Sequence, residues 1–159
     1  ELGLQTVHED TAAFLRRGYP LSVYEEAVRG LRKRGIEVIT HVILGLPGEN
    51  TERMFCTIRY LNRQDIQGIK LQLLHILKGT DLAAFYKQQP FFVPSLEEYT
   101  RWILSCTEIL RPDLVIHRLT GDGPKELLMA PLWSRAKRSV LNQIHQTLKE
   151  QDTWQGKYF

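Results

Sequence analysis

Apolar and polar positions alternate along this chain in two rhythms, one of period two and one near 3.6, and the change from one to the other divides it into strands and helices. Residues 1–6 read as a strand, and Glu9 to Arg16 as a short helix with Gly18 just beyond it. Ser22 and Glu25 have the spacing of a capping box, which starts a helix running to about Arg34 and closed by Gly35 in a left-handed conformation. Glu37 to Leu44 is rich in β-branched residues and reads as a second strand. Gly45 to Glu49 is a turn, and Asn50 or Thr51 caps a helix to about Gln64. Ile69 to Ile76 is a third strand, followed by the loop Lys78–Asp81 and a short helix. Pro90 to Pro94 is a linker, and Ser95 with Glu98 forms a second capping box for a helix ending near Leu110. Leu114 to Thr120 is a fourth strand, Gly121–Pro124 turns, and a last helix lies within Ser134–Glu150.

Strand–helix–strand alternation at this spacing implies parallel strands joined by crossovers. Four such strands cannot close an eight-stranded barrel. The expected fold class is therefore α/β: a partial (β/α) barrel of about four parallel strands with helical crossovers, plus a C-terminal helical extension. A small open α/β sheet is the other form this pattern allows. Residues 1–124 make up the half-barrel and residues 125–159 the extension.

Within the strands the two faces differ. Leu2 and Leu4 oppose Glu1, Gly3 and Gln5; Val38, Val42 and Leu44 oppose Glu37 and His41; Ile69, Leu71 and Leu73 oppose Lys70 and Gln72. In the fourth strand the division is less clean, with Arg118 and Thr120 opposite Val115, His117 and Leu119. Parallel strands buried on both sides read as nearly unbroken Val, Ile and Leu, and an unpaired ion in an apolar interior is costly. The polar side is thus expected to border a wet cavity or a polar ligand. A two-layer sheet with one face in bulk water, or a set of paired structural charges, is the alternative.

Composition narrows the function classes. The chain has 159 residues, 43% of them hydrophobic and 25% charged, which excludes a largely disordered polypeptide. A net charge of +3 is too small to imply nucleic-acid binding without a local patch. No apolar run approaches the roughly 18 residues of a membrane span, and the default location is the cytoplasm. Cys56 and Cys106 are too few for a disulfide framework, and with His8, His75, His117 and His145 they form no metal-ligand spacing. The opening residues lack an initiator methionine and begin in mid-sheet, so an earlier part of the protein is expected to be missing. Such a half-sheet has an exposed edge, through which it can associate with a second copy.

Several strings occur in a fixed order: Gly3-Leu-Gln5; Arg16-Arg17-Gly18; Thr40-His41 running into Gly45-Leu46-Pro47-Gly48-Glu49; Lys78-Gly79-Thr80. Together they resemble the C-terminal half of a radical SAM core, in the branch that holds oxygen-independent coproporphyrinogen III oxidase and the elongator catalytic subunit. His117-Arg118-Leu-Thr-Gly-Asp122, Ala130-Pro-Leu-Trp133 and Asp152-Thr-Trp-Gln-Gly156 narrow the resemblance to the YhcC/YtqA type. It covers essentially the whole chain.

The resemblance implies S-adenosylmethionine and a 4Fe–4S cluster held by a C-x3-C-x2-C triplet, with reductive cleavage giving a radical that abstracts hydrogen from substrate. The triplet is absent from this sequence, so the chain is expected to be inactive alone and its intact parent to be the enzyme. By the same resemblance Gln5 contacts the ribose hydroxyls, Arg17 approaches the methionine carboxylate, and His41 stands where relatives have a cofactor-contacting aspartate. Gly45, Leu46 and Pro47 line the adenine pocket, and Ile76 and Leu77 offer it apolar contact and backbone polar groups. The catalytic residues are not assigned. The resemblance points to tRNA, specifically a wobble uridine, as substrate. The competing reading is a non-catalytic α/β module that binds RNA or a protein through its basic helices. The group Arg16, Arg17, Arg29, Arg32, Lys33 and Arg34, otherwise a solvated helix face, and Arg135, Lys137 and Arg138 near Trp133, are its candidate contacts, with Trp133 and Trp154 expected as packing anchors.

Overall fold

A computed structural model describes the whole chain, Glu1–Phe159. Its centre is a four-stranded parallel sheet. The strands are β1 (Leu2–Gln5), β2 (Ile39–Leu44), β3 (Gly68–Leu73) and, after a two-residue strand β4 (Ile76–Leu77), β5 (Val115–Arg118). Their spatial order is β1-β2-β3-β5, and each pair is parallel. The order never reverses. Crossovers between parallel strands are nearly always right-handed, so a sheet that grows in one direction puts all its crossover helices on one side. The helices between the strands are α1 (Glu9–Phe14), α2 (Leu21–Arg32), α3 (Thr51–Leu61), α4 (Asp81–Gln88) and α5 (Leu96–Glu108), of which α2, α3 and α5 pack on the core side.

The covered side is a single hydrophobic core. Leu4, Val42, Leu44, Ile69, Leu71 and Leu73 pack with Tyr24 and Val28 of α2, Met54 and Ile58 of α3, and Ile103 and Leu104 of α5. The last helix, α6 (Lys137–Glu150), adds Val140 and Ile144 to the same cluster. Within this core Tyr24 and Thr40 satisfy each other through a 2.7 Å hydroxyl contact. Cys106 is buried there, and burial pushes its thiol up to about 12. It behaves as a small hydrophobe.

Most boundaries follow their local chemistry. Ser95 and Glu98 form the reciprocal cap of α5, and the Asn50 side chain accepts from the Arg53 N–H at the start of α3. The Ser22–Glu25 box does not form. Helix α2 begins at Leu21 behind Pro20, whose fixed φ suits a helix entry, and the Leu21 N–H is taken by the Glu9 carboxylate at 2.6 Å. Glu25 instead accepts from the Tyr60 hydroxyl.

The third strand ends early. Leu73 is its last residue, and Ile76–Leu77 pair antiparallel with β6 (Leu128–Ala130) in a separate ribbon. Ile76 is buried there and Leu77 half-buried, so Ile76 does not continue β3 as the apolar run suggested. A single 3₁₀ turn, Leu132–Arg135, leads from that ribbon into α6. Trp133 packs on Tyr99 and donates to the Pro94 carbonyl, as an anchor should. Trp154 is exposed, with the Lys157 ammonium over its ring, and anchors nothing in the core.

Candidate functional site: the open face of the sheet

The uncovered side of the sheet carries a connected polar array. Paired residues of parallel strands share a face, and the register aligns Gly3 with His41 and His41 with Lys70. The His41 ring sits between two partners, Glu1 Oε2 at 2.9 Å from Nε2 and the Gln72 amide at 3.0 Å from Nδ1. Glu1 also holds the Lys70 ammonium. Hydrogen bonding to Lys70 and then to His41 lowers the Glu1 carboxyl from its ordinary value to about 2. On β5 a register shift places Arg118 beside Lys70. His117 lies over Gly68, its Nε2 only 2.6 Å from where a Cβ on that glycine would be. The ambiguous fourth strand therefore turns both His117 and Arg118 toward this array.

Gln5 reaches the same face by an unexpected route. Strict alternation would place it there after Gly3, but the β1–β2 register shifts between these two residues. Gln5 compensates with a left-handed backbone, φ 60°, a region that costs a non-glycine residue roughly 1–2 kcal/mol. Its amide folds back over Gly3, with Nε2 2.5 Å from where a Gly3 Cβ would stand. Only glycine permits that approach. The amide oxygen Oε1 is buried and has no hydrogen-bond partner.

Arg17 has another task. Its side chain is 1% exposed and donates to the carbonyls of Tyr19, Leu4 and Thr6 and to Glu9. Four of its five N–H donors are committed, so the two-pronged grip needed for a free carboxylate is not available. Arg17 closes the end of β1. Arg16 points outward and pairs with Asp81.

The exit of β1 is fastened to the loop after β2. Thr6, fully buried, donates to Glu49 at 2.6 Å and lies near the Thr57 hydroxyl. Gly45 and Gly48 in that loop are left-handed, φ 78° and 80°. A Cβ on Gly45 would come within 3.1 Å of the Trp102 ring. Leu46 is buried, Pro47 half-buried, and a pocket of about 280 Å³ runs along Gly45–Asn50 between Phe91, Phe92 and Trp102. Sequence pattern identified the loop but not its fastening: Thr6 and Thr57 look like ordinary core threonines, and only the tertiary contact reveals them. Ile76 and Leu77 lie apart in the β4–β6 ribbon.

Could these residues hold the groups the resemblance implies? Nowhere do three or more His, Cys, Asp or Glu side chains converge as a metal site requires. Cys56 is exposed and Cys106 is buried in the core, so the residues of this chain do not fit a cysteine-held cluster. The Gln5 amide does fit a ribose diol: an unpartnered acceptor with donors beside it, at the C-terminal end of a strand.

Comparison with known proteins gives the family. Residues 1–61 match the radical SAM superfamily, and residues 66–150 match the radical SAM C-terminal domain. The chain belongs to the radical SAM superfamily. Within it, the relatives are of the YtqA and YhcC type. Protein YtqA of Bacillus subtilis is 43% identical over all 159 residues, which cover 49% of its length. A tRNA uridine(34) acetyltransferase of Dehalococcoides mccartyi is 28% identical over 152 residues, 92% of this chain and 33% of that one. The structure of Elp3 from Methanocaldococcus infernus with an N-terminal deletion superposes with a TM-score of 0.81 at 17% identity, covering 97% of this chain and 36% of the other. That likeness shows the fold, an Elp3-like partial barrel. The chain spans about half the length of the YtqA-type relatives it matches. No helix is long and apolar enough to cross a membrane.

Proposed function

We propose that the open polar face binds S-adenosylmethionine and that the intact protein is a radical SAM enzyme. The observation that carries this reading is the buried, unpartnered Gln5 Oε1, on an amide whose Nε2 lies over Gly3 and whose backbone is left-handed. Strain of this kind persists where surrounding structure enforces it, and it concentrates at ligand sites. In this reading Oε1 accepts from one ribose hydroxyl and Nε2 is available to the other. His41, fixed by Glu1 and Gln72, presents an oriented polar floor; Gly45, Leu46 and Pro47 offer backbone groups to the adenine. S-adenosylmethionine bound with a cluster would supply hydrogen-atom abstraction, and no residue of this chain would hold that cluster. The role of this chain is to bind and orient.

The substrate is proposed to be a tRNA wobble uridine. Support comes from the uridine(34) acetyltransferase among the relatives and from the basic and imidazole groups His117 and Arg118 on the same face. Intact protein, reconstituted anaerobically, is expected to bind S-adenosylmethionine and release 5′-deoxyadenosine under reduction, and Gln5→Ala to weaken that binding about tenfold. Equal binding by Gln5→Ala would overturn the assignment of the face. Mass spectrometry of tRNA nucleosides before and after incubation tests the substrate, and unchanged uridines at the wobble position would remove it.

A further inference from the structure

A second pocket, of about 280 Å³, lies at the same end of the sheet but away from Gln5, between the residue His75 that follows β3 and the Gly121–Gly123 turn that follows β5. The His75 ring is wedged between the two glycines. A Cβ on Gly121 would lie 2.6 Å from its Cε1, and one on Gly123 3.0 Å from its Nδ1. Its Nε2 is buried and has no hydrogen-bond partner. Burial holds the imidazole below its ordinary range, with the Asp122 charge opposing this in part.

The charges around this ring do not cancel. Lys125, Arg135 and Lys137 line the pocket with only one carboxylate, Asp122, which Lys137 engages at 3.0 Å. Lys125 pairs with no acid, and Arg135 spends one donor on the Leu128 carbonyl and pairs with none either. Three cations, one acid and an unused ring nitrogen make a poor cation site and a good anion site. The volume lies just below the roughly 300–1,000 Å³ of pockets that enclose whole ligands. A small charged group suits it better.

We propose that this pocket binds a phosphoryl group, with Lys125, Arg135 and Lys137 supplying charge and the His75 ring a hydrogen bond. The group belongs either to a phosphate monoester or to an RNA backbone. The site stands on its own lining and needs neither S-adenosylmethionine nor a cluster, so its failure and that of the proposed function are separable.

Titration of the intact protein with inorganic phosphate, followed through the His75 imidazole ¹H–¹⁵N resonances and by calorimetry, tests it. Saturable movement of the His75 signal is expected. Lys125→Gln and Arg135→Gln, both at exposed positions and neither removing an ion pair, should each weaken binding about tenfold. Arg29→Gln, on α2, should leave it unchanged. A 5′-mononucleotide and a short RNA are then compared. Tighter binding of the nucleotide identifies the monoester as the source, and tighter binding of the RNA identifies the backbone; either ranking supports the site. A His75 signal indifferent to all three, or equal loss in Arg29→Gln, would overturn it.

Discussion

The two sides of one sheet have taken opposite courses. Leu4, Val42, Leu44, Ile69, Leu71 and Leu73 face the helices and are at most 4% exposed. Their neighbours one residue away, Gly3, His41, Lys70 and Gln72, face no helix of this chain and hydrogen-bond among themselves or stand open. The first side supplies the free energy of folding, at roughly 1.5–3 kcal/mol per fully buried large side chain. The second spends some of that on a strained Gln5 and an unpartnered amide oxygen. Stability and binding are therefore separable by face, and mutation should show it.

The largest effect is expected on the apolar side. Leu71→Ala leaves a cavity at a position with no exposure and should lower unfolding free energy by about 2–5 kcal/mol in urea melts. Gln72→Ala, next door, should cost under about 1 kcal/mol. A comparable loss at both positions would erase the distinction.

Next comes Gly3→Ala. Its new methyl group would occupy the space of the Gln5 amide, a movable side-chain end, so stability should change little while S-adenosylmethionine affinity falls at least tenfold. Unaltered affinity by calorimetry would show that the Gln5 position is irrelevant. Gln5→Gly should do the converse for stability. Relief of the left-handed strain, less the extra freedom of unfolded glycine, predicts a gain of up to about 1 kcal/mol together with weakened binding. A stability loss would mean that Gln5 is structural.

Smaller still are two pH effects. Burial lowers the His75 imidazole from its ordinary value, so the unfolded chain binds its proton more readily. Its contribution is complete above the unfolded value of about 6.5 and declines as pH falls through it. His75→Gln should flatten the slope of stability between roughly pH 7 and 5. Glu1 shifts in the same direction but over a more acid range: held at about 2, its contact with Lys70 and His41 persists at pH 4 and is lost only as pH falls through about 2. Carboxyl NMR of Glu1 showing an ordinary midpoint near 4.5 would contradict that contact.

Local rules made much of this legible. Period-two alternation placed His41, Lys70 and Gln72 on one face because β2 and β3 pair without interruption. The Ser95 cap, the left-handed Gly35 and the turn at Gly45 are equally local. What escaped the sequence is what depends on distant residues. The Ser22–Glu25 box lost to Pro20 and to a carboxylate from α1. The end of β3 at Leu73 is decided by pairing with residues 128–130. Arg17, read as a ligand for a carboxylate, is occupied by the carbonyls of the strand end it was meant to flank. The His75 pocket had a signal, a Gly-Asp-Gly turn after a strand followed by lysines, but its histidine comes from another loop.

Side-chain amide NMR of the intact protein labelled with ¹⁵N-glutamine, recorded with and without S-adenosylmethionine, reads the two faces at once. The account predicts that the Gln5 and Gln72 amides shift saturably while Gln88, Gln143 and Gln146, on the helices, do not. Saturable binding with still signals at Gln5 and Gln72 would place the cofactor elsewhere and contradict it.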